Sequence, residues 1–195
     1  MTLITFSIRS IIINFLEQSL EQGSSVAYLY CNYKERNNQT ATNLVACVLK
    51  QLLQTRPTIA DDAITLYSKH MSKKTRPSLD EINCLLQSEV RRFSRVFVVI
   101  DALDECTECE ATILLRELRK LLSHIHLLVI SRHVKYIESE LDQEACLEIF
   151  AHDEDIERYT KVRIQEQSKL IRHVKAEPSL RNDILQSVVK KAHGM

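Results

Sequence analysis

The chain has two glycines in 195 residues, Gly23 and Gly194. That is about 1%, against a usual share of roughly 7% in globular proteins. Each follows a helix-like stretch, where a left-handed cap is wanted. A Walker A loop needs glycines so that backbone amides can close around phosphate, and the dinucleotide fingerprint needs three of them. No glycine-rich loop of either kind can be drawn from these residues.

The rest of the sequence alternates strand and helix patterns. Residues 26–31 (Val-Ala-Tyr-Leu-Tyr-Cys), 96–100 (Val-Phe-Val-Val-Ile) and 125–130 read as short, continuously apolar strands. A short fourth strand is expected over 146–150. Residues 1–22 read as mainly helical, although the first six could equally form a strand, because β-branched and aromatic types dominate there. Helical spacing recurs over 39–55, from Pro57 to about residue 71, over 78–93, 110–122 and 134–141. Ser78 followed by Glu81 is a capping-box pattern. Buried strands alternating with helices predict an α/β fold with a parallel sheet covered on both faces. From residue 153 only helical patterns remain, broken near Pro178, so the expected division is a sheet-bearing core over 1–150 and a helical segment over 151–195. Within that segment Lys169, Arg172 and Lys175 alternate with Ile171 and Val174, as on an amphipathic helix that packs on a partner domain.

The 26 basic and 26 acidic residues cancel. A neutral chain offers no electrostatic case for nucleic acid or an anionic membrane as partner. No uncharged apolar run approaches the length of a spanning helix, and the first residues lack the basic leader and cleavage pattern of a signal peptide. The six cysteines are irregularly spaced and most sit in apolar runs, where a thiol acts as a small hydrophobe. A reducing, cytoplasmic setting is expected. Cys106-x-x-Cys109 reads as plain loop thiols rather than a metal site, since His124 and His126 do not complete a usual ligand spacing.

The stretch that carries chemistry is Val96-Phe97-Val98-Val99-Ile100-Asp101-Ala102-Leu103-Asp104-Glu105. An apolar strand ending in a carboxylate has the Walker B form. Asp101 at such a tip can hold magnesium through water beside a nucleotide triphosphate. A following acid can orient or deprotonate the attacking water, which makes Asp104 and Glu105 candidates. The strand at 125–130 ends in Ser131-Arg132, where an arginine can reach a γ-phosphate. Alone, Arg132 reads as an exposed loop residue.

This run, extended to Cys106, resembles the long Walker B of NACHT domains, in particular the fungal nephrocystin-type N-terminal NTPase region. Further likeness lies in Ala27-Tyr28-Leu29-Tyr30-Cys31-Asn32-Tyr33-Lys34, in Thr75-Arg76-Pro77-Ser78-Leu79, in the strand before Ser131-Arg132 and in Asp153-Glu154-Asp155-Ile156. It spans nearly the whole chain. The resemblance implies a three-layer P-loop NTPase-like sheet and membership of the signal-transduction ATPases with numerous domains. Those proteins are switches in which nucleotide exchange opens an oligomerising platform, often with repeat domains downstream. By motif position, Asp101 would be the magnesium-associated acid, Asp104 and Glu105 would position water, and Arg132 would sense the nucleotide.

The departure from that family is the missing Gly-x-x-Gly-x-Gly-Lys-Thr loop. Its Gly-Lys-Thr positions fall near Ile4, Thr5 and Phe6, and the first lysine is Lys34. The strand before that loop is also missing, and its loss would leave ladder edges open on its neighbours. The expectation is a fragment or regulatory module with protein partners or downstream repeat domains. It would not turn over ATP and would carry no Mg-ATP or Mg-GTP. The alternatives are a weak nucleotide binder using Asp101, Asp104 and Glu105, or a fragment with no role.

Overall fold

The structure is a computed structural model, and it describes residues 12–149 and 152–192. The chain divides into two compact units, residues 1–143 and 144–195.

In the first unit a helix, α1, covers residues 12–19. The possible strand at residues 1–6 lies outside the described residues. Then follow β1 (Ser24–Tyr30), α2 (Ala41–Gln54), α3 (Asp61–Lys73), α4 (Leu79–Val90), β2 (Arg95–Asp101), α5 (Glu108–Arg119), β3 (Ile125–Ile130) and α6 (Lys135–Glu140). The three strands form one parallel sheet in the order β1-β2-β3. The expected α/β architecture with a parallel sheet is therefore present. The helix ends follow local signals. Thr40, Ser78 and Thr107 cap α2, α4 and α5 by accepting from the amide three residues on. Ser78 and Glu81 make both bonds of the capping box. Gly23 enters β1 with φ at +87°, a conformation that disfavours a side chain.

One face of the sheet supplies the core. Ala27 and Leu29 of β1, Val96, Val98 and Ile100 of β2, and Ile125 of β3 pack with Val45, Val48 and Leu52 of α2, Leu86 of α4, and Leu114, Leu115 and Leu118 of α5. The three α5 leucines are 0% exposed. Burying each side chain of this kind contributes roughly 1.5–3 kcal/mol. The other face is less closed. Phe97 stacks on His126 with ring centroids 5.1 Å apart, and Tyr28 lies 5.2 Å from Tyr30. His126 and Leu128 of β3 are exposed. The expectation of strands buried on both faces thus fails at β3.

On the side of β1 away from β2, a side chain satisfies the backbone of Tyr28. Gln51 of α2 accepts from the Tyr28 amide at 3.0 Å and donates to the Tyr28 carbonyl at 2.8 Å. Its amide group does for Tyr28 what a neighbouring strand would do. Gln39 repeats the device just past the strand, accepting from the Asn32 amide at 2.8 Å and donating to its carbonyl.

The second unit carries α7 (Asp153–Glu166), α8 (Ser168–Ala176) and α9 (Ser179–Ala192). α7 packs on both others. Ile156, Ile164 and Leu185 are buried. The α8 residues Leu170, Ile171 and Val174 are half-buried, while Lys169, Arg172 and Lys175 are exposed, as an amphipathic helix requires. The expected fourth strand over 146–150 does not form among the described residues: 146–149 take no regular structure, and Leu147 and Ile149 are 83% and 62% exposed. An apolar alternation without a partner ladder does not make a strand.

Candidate functional site

Register brings the strand ends level. Tyr30 pairs with Asp101, and Asp101 with Ile130. Asp101 is the last residue of β2 and is 1% exposed. Its carbonyl accepts from the Cys31 amide at 3.0 Å, which carries the β1–β2 ladder one step past β1. This carboxyl edge is where open α/β sheets place their ligands.

Ala102 reverses the chain, with φ 56° and ψ 44° in the left-handed region. A residue with a side chain costs roughly 1–2 kcal/mol there. Leu103, 0% exposed, anchors the reversal in the core. A single 3-10 turn over Leu103–Glu105 follows, closed by Glu105 N to Ala102 O at 2.9 Å and Cys106 N to Leu103 O at 3.1 Å.

The turn points its two acids in opposite directions. Asp104 accepts from the Arg132 amide at 3.1 Å and from Arg132 Nε at 2.6 Å. Glu105 accepts from the Tyr33 amide at 2.9 Å. Arg132 lies just past β3 and Tyr33 just past β1. The two carboxylates therefore tie the ends of both outer strands to the turn after the central one. Asp104 is largely enclosed, with its side chain 5% exposed, whereas that of Arg132 is 61% exposed. The hydrogen bond to Asp104, and then that carboxylate's charge, hold the Arg132 guanidinium above its ordinary pKa. Burial, and then the charge of Asp104, push the Tyr136 phenol up.

All four residues singled out from sequence thus stand at one edge: Asp101 at the tip of β2, Asp104 bonded to Arg132, and Glu105 turned toward β1. Sequence reasoning missed the residues that bind this edge together. Arg36 Nη2 donates to the Cys106 carbonyl at 3.0 Å. Glu110 accepts from the Ala41 amide at the first turn of α2, where a carboxylate also meets the positive end of the helix. The pattern Thr107 to Glu110 looks like a capping box, but only the Thr107 half forms, and the Glu110 carboxylate reaches across to α2 instead.

The thiols divide sharply. Cys31 and Cys106 are buried beneath the edge, and Cys47, Cys84, Cys109 and Cys146 are exposed. The expectation that most cysteines pack as small hydrophobes is thereby corrected. Hydrogen bonding to Cys106, then burial, push the Cys31 thiol well above its ordinary pKa. Cys106 and Cys109 differ in environment, and among the described residues no group of three or more His, Cys, Asp or Glu side chains is placed to hold a metal ion. Among the described residues no helix is long and apolar enough to cross a membrane.

Comparison with known families decides the relationship. The family described as nephrocystin 3, N-terminal, matches residues 6–132. The chain belongs to the nephrocystin 3 N-terminal family. The matched stretch includes all three described strands and the four residues at their carboxyl ends. No curated protein matches the chain.

Proposed function

We propose that this member of the nephrocystin 3 N-terminal family is a NACHT-like regulatory module on a P-loop NTPase-like core. It packs with protein partners or downstream repeat domains in the cytoplasm and does not turn over nucleotide. The observation that carries this reading is the clasp. Asp104 and Glu105, the acids a hydrolase would use to position water, are bonded to Arg132 and Tyr33 at the ends of the flanking strands.

The residues present do not fit a magnesium–nucleotide group. Magnesium takes six oxygens in octahedral array, with one or two carboxylates beside phosphate and water. Asp101 is 1% exposed, and the neighbouring carboxylates already hold protein donors. The sequence carries only Gly23 and Gly194, so no glycine-rich phosphate loop can be drawn from these residues. An edge clasped in this way suits a rigid scaffold that presents surfaces to partners.

Equilibrium titration of the chain with Mg-ATP and with Mg-GTP tests the proposal, with Asp101→Ala alongside. The expected result is no saturable binding of either nucleotide by either protein. Saturable binding by the native chain that Asp101→Ala abolishes would overturn the reading in favour of a weak nucleotide binder.

A further inference from the structure

α3 is amphipathic, yet it leaves an apolar stripe uncovered. Its inward side rests on Ala63 and the half-buried Leu66, and it is moored to α4 where Lys69 and His70 both reach Glu81. Away from that side, Ile64, Tyr67 and Met71 are 49%, 65% and 60% exposed. Spacings of three and four place them in one row along the helix. Ile59, 58% exposed, extends the apolar surface before the helix begins. It also lines a groove with Leu49, Leu53 and Pro57. Single exposed apolar residues are ordinary, but a contiguous row of large ones marks an interaction surface.

The charges around the row say what covers it. Asp61 and Asp62 occupy the first turn of α3. Lys73 ends the helix and Lys74 caps it. One end is acidic, the other basic, and the apolar residues lie between. A partner of uniform charge would be repelled at one end. A second copy laid antiparallel meets opposite charge at both ends, and its helix dipole is also opposed. Tyr67 stands midway along α3. A two-fold axis beside it brings Ile64 next to Met71 of the second copy and Asp61 next to Lys74 of the second copy. A surface that matches itself in this way is the requirement for an isologous dimer.

We propose that the Ile64-Tyr67-Met71 row of α3 is a homodimer interface, closed by a second copy of this chain running antiparallel, with Asp61 and Lys74 paired across the two-fold. One helix pair buries less surface than a permanent dimer, so association is reversible and concentration-dependent. The proposal does not depend on whether the chain binds nucleotide.

Sedimentation velocity of the full chain over a micromolar concentration series tests it. The native chain shifts from monomer to dimer as concentration rises. Tyr67→Asp holds it monomeric with an unchanged far-UV spectrum. Asp61→Lys and Lys74→Asp each weaken self-association by about tenfold or more, because each sets like charges opposite one another. An equimolar mixture of those two variants regains the dimer, since lysines on one chain then face aspartates on the other. That mixing arm keeps the test decisive even if Tyr67→Asp fails to fold. A native chain that stays monomeric throughout, a dimer that persists in folded Tyr67→Asp, or a mixture that does not associate would each overturn the proposal.

Discussion

Arg132 and Asp104 meet at two points: the backbone amide binds Oδ1 at 3.1 Å and the guanidinium Nε binds Oδ2 at 2.6 Å. One carboxylate thus fixes both the direction of the chain leaving β3 and the side chain of its second residue. Glu105 holds the chain leaving β1 by its backbone alone, through the Tyr33 amide. A hydrogen bond of this charged kind contributes roughly 1.5–3 kcal/mol when enclosed, and less here, because the Arg132 side chain is 61% exposed and water can take the place of Asp104. Asp104→Ala is therefore expected to destabilise the chain by about 1 kcal/mol, and Asp104→Asn, which retains an acceptor, by about half as much. Urea denaturation of the two variants checks this. Equal stability of Asp104→Ala and the native chain would mean the clasp holds nothing.

The edge of β1 offers a second handle. Gln51 satisfies both backbone groups of Tyr28. Gln51→Leu keeps helix propensity and bulk but removes both partners. The expected loss is about 1–3 kcal/mol, with faster hydrogen exchange at the Tyr28 amide. Exchange at Tyr28 that is unchanged in the variant would show that Gln51 does not protect the edge.

Glu81 makes stability depend on acid. Its pKa is lowered from 4.5 to about 2, first by the hydrogen bond from Lys69, then by the Ser78 amide and His70. A carboxyl whose folded value is depressed stabilises the fold above its unfolded value and loses that contribution as pH falls toward the folded one. The contribution of Glu81 is thus whole above about pH 4.5 and disappears between there and about pH 2. Glu81→Gln should flatten that part of the thermal-midpoint profile against pH, and a profile identical to the native one would contradict the assignment.

Thiol chemistry should report the buried pair. With Cys31 pushed up by Cys106 and by burial, and both residues enclosed, iodoacetamide at neutral pH should modify Cys47, Cys84, Cys109 and Cys146 first. Cys31 and Cys106 should react only on unfolding. Mass-mapped alkylation of native and urea-treated chain decides, and early labelling of Cys31 would place it elsewhere than beneath the edge.

Much of this fold can be read from local pattern. Runs such as Val-Phe-Val-Val-Ile are short, apolar and β-branched, so β2 and β3 declare themselves, and Ser78 with Glu81 announces α4 from three residues away. The stretch at 146–149 misleads for the same reason. Its alternation is strand-like, but pairing is a property of two segments, and Leu147 and Ile149 stay exposed. The position of Asp101 at a strand tip is legible because it ends the apolar run of β2. The occupation of Asp104 and Glu105 is not, because their partners lie 28 and 72 residues away. A carboxylate's residue type is the same whether it faces a water or a backbone amide, and only the tertiary register separates the two. Gln39, Gln51 and Glu110 escape notice on the same ground.

The central claim is that the acids after β2 hold the sheet's edge together and do not serve a nucleotide. Differential scanning calorimetry of the native chain and Asp104→Ala, each with and without millimolar Mg-ATP or Mg-GTP, tests it most directly. A ligand present at a hundred times its dissociation constant would stabilise the native state by about 2.7 kcal/mol, well within detection. The account predicts a midpoint lowered by a few degrees in Asp104→Ala and no shift from either nucleotide. A native midpoint that rises with Mg-ATP or Mg-GTP, together with an Asp104→Ala midpoint equal to the native one in their absence, would contradict it.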